Sequence, residues 1–349
     1  MSLIMRRGRV AVGLGFLGVG AAALLLRDRI LPLAALTYFP VPLFAGAAGL
    51  FFIRTGRRSL LALAVLLGLG GAYEMSGFRL SPGRREGRPL RVVQQNVWWG
   101  GGYNRSRPLW HDLEASLVHL GPDVLVLAEM PEDTWRKGMR ARLAAATGRT
   151  WSVTCGQGRP KDPNLYRVAI VSPYPHADVA VHALEDGLLL DVTLVLPEGP
   201  LRVWAVDGLS HLSRDRRRML GDLAARVTAA EAAGRPVDLL AGDFNAPAKS
   251  VGFNALRGKY WLAGEHSFAW RATWPSIFPL VDVDHIWLRR EVLGGQQVRF
   301  RTDARLDHRG QVVDALWTPA KDYGPKGPPS EGDEVPCWAP GSTAASTGR

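Results

Sequence analysis

Cysteine is nearly absent. The 349-residue chain has two, Cys155 and Cys337, too few for a disulfide scaffold or a cysteine-rich zinc module. One bridge between them suits an oxidising compartment, and nothing in the sequence demands it. Charge is also sparse, at 21% of residues, and acidic residues are outnumbered, 32 against 43 Lys plus Arg. With 12 Trp, 11 Phe and 7 Tyr present, low charge excludes a wholly disordered chain. There is no internal repeat.

The net charge of +11 invites a polyanionic partner. Its distribution speaks against a nucleic-acid groove. Residues 1–75 carry eight Arg against Asp28 and Glu74. More than half of the excess therefore borders the apolar N-terminal runs, as it does at membrane flanks.

Three uncharged runs occur there: Val10–Leu26, Ile30–Ile53 and Leu60–Tyr73. A bilayer-spanning helix needs about 20 apolar residues, and at least about 17. The second run exceeds this, the first is at the limit, and the third must borrow from its neighbours. Pro40 and Pro42 interrupt the second run, which a membrane helix tolerates. The pattern predicts a transmembrane anchor over 1–75 of two or three helices. A signal peptide is the competing reading of the first run, because Arg6, Arg7 and Arg9 precede it. No small-residue cleavage site precedes the next run. The flanking arginines are nearly balanced between the two sides. The N-terminal cluster places the amino end inside, and three spans then put the rest of the chain outside the cytoplasm.

Residues 76–89 (SGFRLSPGRREGRP) read as a linker. From Leu90 the pattern changes. Short apolar strand candidates (Leu90–Val97, Asp123–Leu127, Val168–Val171, Leu188–Leu196, Leu201–Val206, Val237–Ala241, Val283–Leu288, Val312–Trp317) alternate with helical stretches, the longest being Arg214–Ala233. This predicts an α/β domain over 90–318. The Pro-, Gly- and Ser-rich segment 319–349 is expected to be disordered.

Polar residues gather at the strand ends, where α/β folds place their sites. Gln94-Gln95-Asn96 ends the first strand, Glu129 follows DVLVLA, and Asp243 and Asn245 follow DLLAG. Asp282, Asp284 and His285 surround VDVDHIWL, and Asp307 and His308 precede the last strand. An Asp after a strand is commonly a cap or turn former. Here the repetition at several strand ends calls for another explanation. Glu129 and Asp307 offer hard oxygen ligands that Asn96 can support, as Mg²⁺ prefers. Multi-His and thiolate sets are lacking, which disfavours zinc. His308 suits a general base or electrostatic partner, with Asp284 to fix its tautomer. Asp243 and Asn245 suit positioning of a water and of phosphoryl oxygens. Together these parts fit metal-assisted phosphoester hydrolysis. His285 alternates away from Asp284 along its strand and is expected to pack in the core.

On these residues, Leu90–Trp317 resembles the endonuclease/exonuclease/phosphatase superfamily of DNase-like, metal-dependent phosphoesterases. The motifs, in order, are QQNVWWG at 94–100, PDVLVLAEM at 122–130, GDFN at 242–245, VDHIWL at 283–288 and LDHRGQVV at 306–313, with RVAIVSPYP at 167–175 also similar. The resemblance implies a four-layer sandwich: two mixed β-sheets face to face, flanked by helices. It implies Mg²⁺ or Mn²⁺ at Glu129, with Asp307 and Asn96 nearby. It implies His308 as the acid/base or phosphate-contacting histidine, held by Asp284, with Asp243 on the water and Asn245 on the phosphate. The family's second histidine follows a middle strand directly, and here Asp207 stands at that place while SHL supplies His211 a few residues later. Either His211 reaches the site from its loop or Asp207 replaces the histidine.

The expected substrate is a phosphoester of a lipid head group, a nucleotide or a nucleic acid, met beside a lipid bilayer, and no protein partner is expected. The alternative is a catalytically inactive, membrane-bound binding protein with the same fold.

Overall fold

The computed structural model describes residues 3–29, 38, 40–79, 86–98, 107–131, 138–158, 167–210, 215–319 and 337–338. Helices α1 (Leu3–Leu25), α2 (Val41–Thr55) and α3 (Arg58–Met75) open the chain and pack side by side. Leu17, Ala48, Phe52 and Ala64 close their common core. Small residues let the backbones approach: a Cβ on Gly71 would lie 2.5 Å from Cβ of Val41. The remaining faces are apolar and open, including Ile4, Leu50, Ile53, Leu66 and Leu69. By length and composition α1 and α3 can each cross a membrane, whereas α2 is too short. The long second apolar run thus yields the shortest of the three N-terminal helices. Pro40 caps α2 and Pro42 occupies its first turn, so the helix starts only there, since proline lacks the N–H that a preceding turn needs.

Beyond the helices lie two sheets. The seven-stranded sheet has the order β11-β12-β1-β2-β4-β3-β13 and the six-stranded sheet β5-β6-β7-β8-β10-β9. In chain order the strands are β1 (Arg88–Asn96), β2 (Val124–Ala128), β3 (Ser152–Gln157), β4 (Arg167–Ser172), β5 (His176–Leu184), β6 (Gly187–Leu196), β7 (Gly199–Gly208), β8 (Leu239–Asp243), β9 (Tyr260–Leu262), β10 (Asp284–Arg289), β11 (Leu293–Arg301), β12 (Gly310–Trp317) and β13 (Cys337–Trp338). Both sheets are mixed: β1 runs parallel to β2 and antiparallel to β12, and β7 runs parallel to β8.

Val92, Val126, Ile170, Leu190, Val203, Leu239, Ile286 and Val313 fill the space between the sheets. Helices α4 (Arg107–Val118) and α5 (Met139–Thr147) cover the outer face of the first sheet, burying Trp110, Leu113 and Leu143 against Val93 and Leu125. On the far side α6 (Arg216–Ala232) and α7 (Asn254–Arg257) cover the second sheet, with Met219, Leu223 and Leu256 against Leu240 and Trp287. The result is the four-layer α/β sandwich that the sequence predicts, preceded by apolar helices. Each buried aliphatic side chain contributes about 1.5–3 kcal/mol relative to exposure. The inter-sheet layer is therefore the main source of stability.

Within the segment 319–349, expected to be disordered, Cys337–Trp338 extends the first sheet as β13, with Cys337 in register with Cys155. Cys155 is disulfide-bonded, and Cys337 is the chain's other cysteine. The rest of that segment from residue 320 lies outside the described residues, as do residues 80–85 of the 76–89 linker and His211.

The ends of the helices that meet the sandwich are anchored by specific polar contacts. Asp28, just after α1, accepts hydrogen bonds from Ser250 Oγ and, at 2.9 Å, from the Val251 amide. Tyr38 donates to the Asn245 carbonyl at 2.7 Å. Past α3, the Gly77 amide donates to the Ala269 carbonyl at 2.8 Å, and Arg271 reaches the Glu74 carbonyl. The C-terminal end of α1, the approach to α2 and the C-terminal end of α3 all meet the loops that follow β8 and precede β10.

Candidate active site

Strand alternation decides which side chains enter the site. On β1, Leu90 and Val92 face the inter-sheet core while Val93 faces α4; with a period of two, Gln94 and Asn96 then point inward. By the same parity Asp243 follows Leu239 and Ala241, Asp284 precedes Ile286 and Leu288, and Asp207 follows Val203 and Ala205. The apolar filling of the sandwich thus gives way, at one end, to an acidic pocket.

His308 stands at its centre. Its Nδ1 donates to Oδ2 of Asp284 at 2.7 Å, and its Nε2 lies 4.0 Å from both Asp243 Oδ2 and Asp307 Oδ2. Asp284 is held on its other oxygen by Gln94 Nε2 at 2.9 Å, and Gln311 donates to its backbone carbonyl at 2.6 Å. The Asp284 amide donates to Thr273 Oγ1 at 3.2 Å. Asp243 lies opposite Asp284 in the β8–β10 register and beside Asp207 in the β7–β8 register. Its Oδ2 accepts from Asn96 Nδ2 at 3.0 Å and its Oδ1 from the Asn245 amide at 2.8 Å.

Two backbone conformations support this arrangement. Gly242 has φ 143°, and a Cβ there would lie 2.0 Å from the Val206 carbonyl oxygen. Only glycine fits. Glu129, immediately after β2, has φ 52° and Asn245 has φ 45°. Non-glycine residues rarely adopt this left-handed region, and they persist there when the surroundings over-determine them. Asn245 is fixed by its side-chain bond to the Gly208 carbonyl at 2.8 Å. Glu129 shares a hydrogen bond with Asn96.

The electrostatics are those of a pocket with too much negative charge. Burial raises the carboxyls of Glu129 and Asp307 above their ordinary range. Burial, and then the charges of Glu129 and Asp243, pushes Asp207 up strongly. Burial and the Asp284 charge push Asp243 up to about 8. Burial alone would raise Asp284 and lower His308. The Asp284–His308 pair reverses both, holding Asp284 below its usual range and carrying His308 up to about 10.

The donor set fits a hard divalent cation. Five carboxylates (Glu129, Asp207, Asp243, Asp284, Asp307) meet one imidazolium, and buried charge needs a counter-charge. Oδ1 of Asp307 is buried without a hydrogen-bond partner among the described residues. Ligand atoms of Asp243, Asp284 and His308 lie within 4.8 Å of one another, a spacing one ion can bridge.

The structure therefore brings together Asn96, Glu129, Asp243, Asn245, Asp284, Asp307 and His308. His211 falls outside the described residues, while Asp207 stands in the site beside Asp243. Gln94, Thr273 and Gln311 carry contacts that the sequence reading assigned to no one. Gln94 shares the inward parity of Asn96, which was a usable signal. Thr273 comes from a loop with no local pattern, and nothing in the sequence marks it. His285 packs outward as expected, against Phe244 and Phe253, with Nε2 donating to the Ala246 carbonyl at 2.7 Å. Asp282 pairs with Arg271 at 3.4 Å.

Solved structures share this architecture. The catalytic domain of human Nocturnin with bound sulfate is 18% identical, with a TM-score of 0.50, over 66% of this chain and 95% of that one. A family protein from Bacteroides thetaiotaomicron is 14% identical, with a TM-score of 0.51, over 67% of this chain and all of the other. No curated protein matches the sequence. The Endonuclease/Exonuclease/phosphatase family model matches residues 93–308, a span that holds every residue of the acidic pocket from Gln94 to His308. The chain belongs to that family.

Proposed function

We propose that this protein is a membrane-anchored, divalent-metal-dependent phosphoesterase that hydrolyses a phosphoester at the bilayer surface. The observation that carries the reading is the convergence of Asn96, Glu129, Asp243, Asp307 and the Asp284–His308 pair in one buried pocket.

In this reading Glu129 holds Mg²⁺ or Mn²⁺, with Asp307 and Asn96 beside it. The bound ion supplies Lewis-acid stabilisation of charge on the phosphoryl oxygens. The protein's own groups do the rest. Asp284 fixes His308 through Nδ1, leaving Nε2 directed into the pocket. Raised to about 10, His308 is cationic at neutral pH. It neutralises phosphoryl charge and can give a proton to the leaving oxygen. Asp243, raised to about 8, has the proton affinity of a general base working near neutrality. It is aimed by Asn96 and the Asn245 amide and takes the proton of the attacking water. The side-chain oxygen of Asn245 is not used by its bond to Gly208, which runs from Nδ2. The residue therefore stands ready to orient bound water or substrate at the pocket edge.

Exposed apolar residues support a substrate at the membrane surface. Apart from the three helices and Leu26 just after α1, the exposed large hydrophobic residues among those described are Phe78, Phe268, Trp274, Ile277 and Phe278. Phe78 and Phe268 lie where α3 joins the sandwich, and Trp274, Ile277 and Phe278 lie in the segment that meets Asp307. Phe78 and Phe268 rings meet edge-on at 6.2 Å, and the Phe268 amide donates to the Gly77 carbonyl. Ile277 and Phe278, 86% and 69% exposed, follow Ser276, whose amide donates to the Asp307 carbonyl at 2.7 Å. Trp274 hydrogen-bonds the Asp307 carboxylate. One pair of exposed apolar residues thus stands beside the apolar helix, and the 274–278 group stands beside the site. Exposed patches of this kind mark interaction surfaces, and a lipid head group is the substrate they suit best. The disulfide at Cys155 favours an extracytoplasmic catalytic domain. A cytoplasmic reporter fused after Arg349 tests that placement, and strong reporter activity counts against it.

A second reading, an inactive binding protein, is favoured by Asp207, which adds a carboxylate where a phosphate would need positive charge. Hydrolysis of bis-p-nitrophenyl phosphate by the full chain, with Mg²⁺ or with chelator, separates the two. Metal-dependent turnover that disappears in His308→Ala supports the enzyme. Equal rates in the two proteins leave only the binding role.

A further inference from the structure

A second polar cavity, of about 220 Å³, lies where the helices join the sandwich. None of its lining residues belongs to the acidic pocket. Five cations line it: Arg27 after α1, Arg79 after α3, Lys249 after β8, Arg257 in α7, and Arg271. Two acids answer them. Glu74 pairs with Arg27 at 3.0 Å, and Glu265 is shared by Arg79, Arg257 and Arg271 at 2.5, 2.8 and 3.5 Å. The lining keeps an excess of three positive charges, which Asp282, outside the lining and paired with Arg271 at 3.4 Å, reduces to two; the catalytic pocket has the reverse sign.

Lys249 is the residue that needs an explanation. It is 7% exposed, and among the described residues no hydrogen bond or ion pair closes on its ammonium. Burial pulls the ammonium below its ordinary range, with only the more distant charges of Asp282 and Glu74 opposing. Buried Nε of Arg271 likewise has no partner among the described residues. An unpaired buried cation costs several kcal/mol, and an anion seated beside the Lys249 ammonium removes that cost while accepting from the open Nε of Arg271, whose guanidinium is otherwise paired with Glu265 and Asp282. Oε2 of Glu74, also bare, can accept from a hydroxyl on the same ligand. The volume holds a phosphate group with a few waters of about 30 Å³ each.

We infer that this cavity is a binding site for one phosphate group, held by Lys249 and the surrounding arginines and separate from the catalytic pocket. The phosphate has two sources: free inorganic phosphate, or the head group of an anionic lipid. The second is natural for a cavity at the domain-facing ends of α1 and α3. The inference does not rest on hydrolysis, and a chain that cleaves nothing still tests it.

The test uses the full chain in a zwitterionic detergent with chelator present, so that the metal-free acidic pocket repels anions. Inorganic phosphate is titrated at constant ionic strength while thermal unfolding is followed. A ligand that binds only the folded state raises the midpoint. The expected result is a phosphate-dependent rise for the natural chain and an affinity about tenfold weaker in Lys249→Met, as for loss of one charge-assisted bond. Arg79→Gln, on the more open side of the cavity, gives a smaller loss and carries the test if Lys249→Met does not fold. The lipid source is read in nanodiscs of phosphatidylcholine with and without phosphatidylglycerol. If the head group fills the cavity, phosphatidylglycerol raises the midpoint and added phosphate does nothing more. If free phosphate is the ligand, phosphatidylglycerol has no effect and phosphate still acts. No response of the natural chain to either, or equal responses in both variants, overturns the inference.

Discussion

His308 and Asp284 meet at 2.7 Å across the two sheets. Asp284 opens β10 in the six-stranded sheet, whereas His308 enters β12 of the seven-stranded one. Their hydrogen bond ties the halves of the sandwich within the acidic pocket. Gln94, on β1, braces Asp284 from the same side as His308.

Asp284→Asn removes the charge that keeps His308 protonated. Turnover should fall by about 10²- to 10⁴-fold, with little change in KM, because the imidazole loses both its orientation and its proton. The sign follows from the pair: His308 is raised chiefly by Asp284 against burial. Without that partner the alkaline limb of the kcat profile moves to lower pH. A pH–rate profile in which the limb stays in place refutes this role.

Glu129→Gln should leave the fold intact and weaken divalent-metal binding by about 10- to 100-fold, as for loss of a carboxylate ligand or its support. Titration calorimetry with Mn²⁺ reads this without any substrate. Unchanged affinity, together with a loss in Asp243→Asn, would move the metal to the Asp243–Asp284–His308 group.

Stability should depend on pH through His176. Its imidazole is buried, bonded to Thr154 at 2.7 Å, and burial lowers its pKa to about 3. The unfolded chain takes up this proton near pH 6.5 and the folded chain does not. The neutral histidine therefore supports folding fully above about pH 6.5. That support falls by at most about 1.4 kcal/mol per pH unit as pH drops toward 3. His176→Gln should flatten this slope. Chemical denaturation at pH 7.5 and pH 5, compared between the two proteins, measures the difference.

Gly242→Ala should be among the most damaging small substitutions. The new methyl collides with the Val206 carbonyl at a positive φ, costing about 3 kcal/mol or more. It also displaces Asp243 from the register it shares with Asp207 and Asp284. Thermal unfolding of the variant checks the first effect and metal-dependent turnover the second.

The sequence by itself determined the parity of the strands and the order of the motifs. Period-two alternation already sent His285 to the face opposite Asp284, and the structure shows the same rule placing Asn96, Asp243 and Asp284 on the faces that carry Val92, Ala241 and Ile286. Apolar length likewise marked the N-terminal helices, though Pro40 and Pro42 shortened the one that looked longest. Tertiary structure alone decided which groups became partners. Gln94 and Thr273 hold Asp284 from distant strands and loops, and Asp207 acquired its place beside Asp243 from the parallel pairing of β7 with β8. The cationic cavity exists only because α1, α3 and the loops after β8 meet in space. Local periodicity fixes the direction in which a side chain points, but its partner and its charge state depend on what the rest of the fold packs against it, and burial then sets the energy of that encounter.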